Sequence, residues 1–159
     1  MEVDKVEFKI IKPKIADIPN MRNLVLKEVQ NGVILDRSED EIANTIRSYK
    51  IIKNANDEII AFSALYIYSM ILGEIRSLIV KEDFRRKGLA SLLINALIED
   101  AKELGLKEIL VLTYRREVFE KLDFKEIDKA KIPNHKIWAD CIKCKRFPIC
   151  DEIALIKTL

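Results

Sequence analysis

Between Gly73 and Thr113 the sequence runs strand, basic turn, long amphipathic helix, strand, and this sequence of elements constrains the fold more than any other feature of the chain. Gly73–Val80 is an apolar run of strand length, and Leu89, Leu92, Leu93, Ala96, Leu97, Ala101 and Leu104 then recur at helical spacing. Gly105 ends that helix, and Lys107–Thr113, with Ile109, Leu110, Val111 and Leu112 in succession, reads as a second buried strand. A strand, a crossover helix and a second strand close as a right-handed unit with the strands parallel. The turn from Lys81 to Ala90 then lies at the carboxyl end of the sheet, where α/β folds hold their ligands. It contains Arg85, Arg86, Lys87 and Gly88 immediately before the helix. The first amides of a helix are unpaired and carry the positive end of its dipole, so this is a seat for a phosphate. Gly88 lets such a group approach the backbone closely.

The remaining segments fit around that unit. Val6–Lys12 reads as a first strand, and Asp17 as the cap of a helix whose apolar face is Met21, Leu24, Val25 and Val29, ended by Asn31-Gly32. Ser38-Glu39-Asp40-Glu41 has the spacing of a capping box and opens a short second helix through Ile42, Thr45 and Ile46. Tyr49–Lys53 and Ile59–Ser69 form a hairpin about Asn54-Ala55-Asn56-Asp57. Beyond Thr113 the expected elements are a short helix at Val118–Leu122 and strands at Phe124–Asp128 and Asp151–Lys157. The predicted order is β-α-α-β-β-β-α-β-α-β-β, a mixed central sheet with helices packed on it.

With 159 residues, 49% of them hydrophobic and 34% charged, the chain can bury one core, so a single domain over 1–159 is expected. The apolar stretch Ile59–Leu72 is broken by Ser63 and Ser69 and ends at Gly73-Glu74, which argues against a membrane span. Met1-Glu2-Val3-Asp4-Lys5 lacks the pattern of a secretory signal, and a cytoplasmic location is expected. A net charge of +2 is too small to argue for nucleic acid as a partner. The positive charge is local: Lys129, Lys131, Lys136, Lys143, Lys145 and Arg146 stand against Asp140 alone, either as a solvated loop or as a funnel for an anionic ligand. Cys141, Cys144 and Cys150 cluster in the same region. They fit zinc completed by His135 or Asp151, a disulfide, or packed thiols, and no metal site is assigned to them. A homodimer is compatible with the sequence, which does not set the oligomeric state.

Two charged residues interrupt the apolar strand before the turn. Glu74 and Arg76 share one face of it, and burying charge without a partner is expensive. Either they pair with each other near an exposed edge, or Glu74 is a general base that takes a proton from an ammonium nucleophile.

Arg85-Arg86-Lys87-Gly88-Leu89-Ala90 resembles the Arg/Gln-x-x-Gly-x-Gly/Ala signature of the GNAT superfamily of acyl-CoA N-acetyltransferases, and the predicted element order is similar to that fold from end to end. The resemblance implies acetyl-CoA as co-substrate, with its pyrophosphate held by Arg85, Arg86, Lys87, Gly88, Leu89 and Ala90. It also implies a bulge in the fourth strand whose freed backbone groups, at Leu78, Ile79 and Val80, pair with the pantetheine arm. Glu74 lies six residues before Val80, the offset of the general base in several such enzymes. Members often protonate the departing thiolate from a Tyr in a Phe-Tyr-Glu-Lys-x-Gly-Phe pattern. The corresponding segment here is Val118-Phe119-Glu120-Lys121-Leu122-Asp123-Phe124, which has Phe119 for the Tyr and Asp123 for the Gly. Tyr114 is the candidate substitute acid.

A closer resemblance is to the short, single-domain N-acetylglutamate synthases. It rests on Glu74–Val80, Leu112-Thr113, Val118–Lys121, and the tail with Ile132-Pro133, Lys136-Ile137-Trp138-Ala139-Asp140-Cys141, Cys144 and Cys150-Asp151-Glu152. It implies acetylation of the α-amine of L-glutamate, in arginine biosynthesis, by direct transfer in a ternary complex. An acceptor with two carboxylates needs at least two cations, and Arg76, Arg115 and Lys136 are the candidates. The competing readings are acetylation of another small amine or a protein N-terminus, a non-catalytic acyl-CoA-binding module, and a zinc-bearing interaction domain.

Overall fold

The computed structural model describes residues 8–32, 36–132 and 152–159. The strands are β1 (Lys9–Ile11), β2 (Tyr49–Lys53), β3 (Ile59–Ile67), β4 (Leu72–Val80), β5 (Glu108–Thr113), β6 (Lys125–Glu126) and β7 (Ile153–Thr158). The helices are α1 (Ile18–Gln30), α2 (Glu39–Asn44), α3 (Leu89–Leu104) and α4 (Arg116–Glu120). All seven strands join one sheet in the order β1-β2-β3-β4-β5-β7-β6, antiparallel except for the β4–β5 pair. The fold is the mixed α/β architecture that the sequence predicts. β7 inserts between β5 and β6, a long-range pairing that local patterning does not encode.

Helix α3 covers one face of the sheet. Leu89, Leu93, Leu97 and Ala101 form its buried stripe, flanked by buried Ile94 and Ile98, while Leu92 and Leu104 of the expected apolar face are exposed. Ile94, Leu97, Ile98 and Ala101 pack with Leu65, Ile75, Ile109, Val111 and Leu155, and Leu89 and Leu93 with Ile52, Ile60 and Val80. Helices α1 and α2 cover the other face, where Met21 and Ile42 pack on Tyr49, Ile51, Phe62 and Ile79. Ser38 caps α2 with the expected box: its hydroxyl accepts from the Glu41 N–H at 3.1 Å, and the Glu41 carboxylate accepts from the Ser38 N–H at 3.3 Å. Asp17 does not cap α1. It closes a 3-10 turn ahead of the helix by accepting the Lys14 N–H at 2.7 Å and lies 3.3 Å from the Lys53 ammonium. Helix α4 starts two residues earlier than predicted, because Thr113 Oγ1 accepts the Arg115 N–H at 2.8 Å and turns the chain there.

Two departures from regular pairing open the sheet beside the basic turn. β4 and β5 pair only as Leu72–Glu108, Gly73–Ile109 and Glu74–Leu110, and among the described residues nothing continues that ladder beyond Glu74. β5 stays paired along its whole length with β7. The second departure is a bulge in β4. Ala64 opposes Arg76 and Phe62 opposes Ile79, so Ser63 faces two residues, Ser77 and Leu78. Ser77 takes a left-handed φ of 61° at that point. A bulge bends its strand and re-aims it, which fits the parting of β4 from β5.

Candidate active site

The parted strands form a wedge with backbone on one wall and the basic turn at its mouth. Lys81 donates its N–H to the Ile60 carbonyl at 2.7 Å, so in the stretch after the bulge residues 79 and 81 direct their backbone groups toward β3. By alternation, Leu78 and Val80 direct theirs to the opposite, open edge. The Val80 carbonyl does point that way, since it accepts Arg85 Nε at 3.0 Å. Of the three strand residues expected to meet a pantetheine arm, Leu78 and Val80 therefore present backbone to the wedge, and Ile79 is turned to its partner Phe62. The side chains serve packing: Ile79 and Val80 are buried and Leu78 packs against the α3 side.

The turn itself runs through a 3-10 segment at Glu82–Phe84 into left-handed conformations at Arg86 (φ 65°) and Gly88 (φ 78°). Gly88 is the N-cap of α3, and no side chain caps the helix there. A Cβ built on Gly88 would meet nothing within 4 Å, so the space over this backbone is open. Arg86, Lys87 and Gly88 are exposed, whereas the Leu89 side chain is buried in the core with Val80 and Leu93. Leu89 can thus offer only its amide. Arg85 serves the strand end through its Nε, tying the turn to Val80. Left-handed residues in such turns gather successive N–H groups on one concave side, which suits an anion.

Glu74 and Arg76 project on the α1–α2 face, opposite Tyr66 and Ala64 of β3. The Glu74 side chain is 1% exposed. Its Oε1 accepts the Tyr68 hydroxyl at 2.6 Å and lies 3.9 Å from Arg76 Nη1. The pairing of Glu74 with Arg76 is therefore present, but in the middle of the sheet rather than at an exposed edge. The Arg76 guanidinium lies over the Tyr66 ring, and Arg37, in the segment before α2, stands 5.7 Å from the same ring. Tyr49 reaches this group from β2 across Ala64, a buried small residue. Burial pushes the Tyr49 phenol above its ordinary value and nearby Tyr66 adds to that, while Arg37, Arg76 and a hydrogen bond with Ser77 work against it.

Sequence reasoning found Glu74 and Arg76 here but missed Arg37, Tyr49, Tyr66, Tyr68 and Ser77. Tyr66 and Tyr68 alternate across the hairpin from Glu74, a signal that the register would have supplied. Phe119 sits on the other side of the sheet, 1% exposed and edge-on to Phe124 at 5.3 Å, so it is a core residue. Asp123 does adopt the non-glycine left-handed turn its position demands, at φ 70°. Tyr114 is half-buried at the end of β5, and Arg115 is exposed beyond it. Lys136 and the three cysteines lie outside the described residues.

A parallel pair that parts beside a glycine-capped helix, with a bulged strand at the opening, gives an α/β fold with an open strand edge next to a seat for an anion. The acetyltransferase (GNAT) family profile matches residues 21–124, and the chain belongs to that family. It is 36% identical to the uncharacterized N-acetyltransferase CT2212 of Chlorobaculum tepidum, over 92% of this chain and 93% of that one. It is 30% identical to the amino-acid acetyltransferase of Pasteurella multocida over 77% of this chain but only 28% of that protein. Among solved structures, N-acetylglutamate synthase from Neisseria gonorrhoeae, complexed with coenzyme A and N-acetyl-glutamate, superposes with a TM-score of 0.84. That match is 21% identical and covers 96% of this chain and 35% of that one. Rv2747 of Mycobacterium tuberculosis, in complex with CoA, superposes with a TM-score of 0.81 at 17% identity, over 95% of this chain and 99% of that one. The class of reaction is acetyl transfer from acetyl-CoA to an amine. Among the described residues no helix is long and apolar enough to cross a membrane.

Proposed function

We propose that the chain acetylates the α-amine of L-glutamate, with acetyl-CoA supplying the activated acyl carbon as a thioester. The observation that carries the choice of acceptor is the meeting of Arg37 and Arg76 at Tyr66, beside Glu74. An amino acid with two carboxylates needs two cations on one side of its ammonium group, and planar guanidinium forks suit carboxylates. Arg115 and Lys136 remain candidates for the outer end of the acceptor site.

In this reading the amides from Lys87 to Ala90, with the Arg86 and Lys87 side chains, hold the diphosphate at the open start of α3. Leu78 and Val80 hold the extended arm by backbone hydrogen bonds, as an added strand in the wedge. The Glu74 carboxylate takes the proton of the acceptor's ammonium, which leaves a neutral amine to attack the carbonyl directly. A backbone N–H at the bulge stabilises the charge that develops on the carbonyl oxygen. Tyr114 is the hydroxyl for the departing thiolate. The test is thiol release from acetyl-CoA with a panel of amino acids, amines and N-terminal peptides. Stimulation by glutamate above all others is expected; release driven by a different amine, or none, would end the assignment.

A further inference from the structure

A base on the middle of a sheet has to be held so that one lone pair faces the acceptor, and the structure contains a device for this that the family signature does not include. We infer that Tyr68 is a positioning residue for Glu74, an inference that rests on the reading of Glu74 as the base. The Tyr68 hydroxyl donates to Glu74 Oε1 at 2.6 Å, in the range of about 2.5–2.7 Å found for hydroxyl-to-carboxylate bonds. Tyr68 follows β3 directly, and its own backbone is fixed: its N–H donates to the Leu72 carbonyl at 2.9 Å. Ser69 locks the same turn, its hydroxyl accepting the Ile71 and Leu72 N–H groups at 3.2 and 3.1 Å. The phenol is therefore delivered to Glu74 from a hydrogen-bonded hairpin turn.

The charged and titratable groups facing Glu74 include Arg76 on its own strand, and Tyr66 and Tyr68 from the β3 side. Arg37 and Tyr49 act on the same cluster through Tyr66, and β5 contributes apolar Leu110. The Tyr68 hydroxyl donates a neutral hydrogen bond to Oε1. It fixes the rotation of the carboxyl group relative to the acceptor side of the strand. When that proton transfers, the N–H bond of the acceptor breaks and an O–H bond forms on Glu74, with Tyr68 keeping its own proton.

The experiment compares Tyr68→Phe, Glu74→Gln and the double variant, in the acetylation assay with the acceptor that gives the highest rate. Acetyl-CoA affinity serves as a check that each variant has folded. Tyr68→Phe is expected to lower kcat with the acceptor about tenfold, the scale of one hydrogen bond to a charged group. The KM for acetyl-CoA is expected to stay constant. The double variant should be no slower than Glu74→Gln alone, because a residue that acts through another has nothing left to act on. An unchanged kcat in Tyr68→Phe, or losses that multiply in the double variant, would overturn the role of Tyr68. Full activity in Glu74→Gln would instead overturn the base, and the two failures are distinct.

Discussion

Gly88 and Gly105 bracket α3 with nearly the same backbone, φ 78° and 86°, and in neither case would a Cβ meet any atom within 4 Å. Replacing either with alanine therefore has no steric term in the protein alone. What remains is the left-handed conformation, which costs an L-residue about 1–2 kcal/mol. The smaller entropy of alanine in the unfolded chain offsets about 0.4–1 kcal/mol of that. Each variant should lose about 1 kcal/mol, or about 2–4 °C in Tm for a domain of this size. Their effects on ligand binding should differ. At Gly105 the methyl lies at the far end of the helix from the basic turn. At Gly88 it enters the space over the turn, where a diphosphate would contact the backbone. Gly88→Ala should weaken acetyl-CoA binding at least tenfold, and Gly105→Ala should leave it unchanged. Isothermal titration calorimetry together with thermal unfolding reads both quantities. Equal acetyl-CoA affinity in the two variants would refute the assignment of the turn, and unequal stability would refute the strain argument.

Ser77 in its left-handed bulge should tolerate glycine, whereas Ser77→Val forces a β-branched residue into that conformation and should cost about 1–3 kcal/mol by denaturant titration. Phe119→Tyr restores the residue common in the family, yet it adds a hydroxyl to a fully buried ring. It should lower stability by about 1–3 kcal/mol and give no gain in turnover, and a faster enzyme would contradict the packing seen here. Because burial raises the Tyr49 phenol above its unfolded value of about 10, the folded state holds that proton more tightly than the unfolded chain. Its contribution is complete below about pH 10 and is lost as the pH rises further. Tyr49→Phe should therefore flatten the alkaline side of the stability profile.

The parts of the fold that were legible in the sequence rest on local rules. Ser38 and Glu41 satisfy each other within one turn, Tyr49–Lys53 is bounded by turn residues, and the α3 stripe repeats every fourth residue. The misplaced elements were decided by partners outside the local window. Asp17 is taken by Lys14 and Lys53, and Thr113 fixes the start of α4. Leu92 and Leu104 are apolar residues that the sheet does not reach. The wedge was legible only through family resemblance, since nothing in a serine announces a φ of 61° and nothing in β5 announces its preference for β7. The same limit hid Arg37 and Tyr68, whose partners Tyr66 and Glu74 are brought near by the β3–β4 hairpin and by the packing of α1 and α2.

Amide chemical shifts of the nitrogen-15-labelled protein, followed as acetyl-CoA is added, test the site most directly. The largest and saturating changes should fall on the amides of Lys87, Gly88, Leu89 and Ala90, and on those of Leu78 and Val80 in the open strand edge. Saturable binding that leaves these six amides unmoved, and perturbs another part of the sheet instead, would contradict the account.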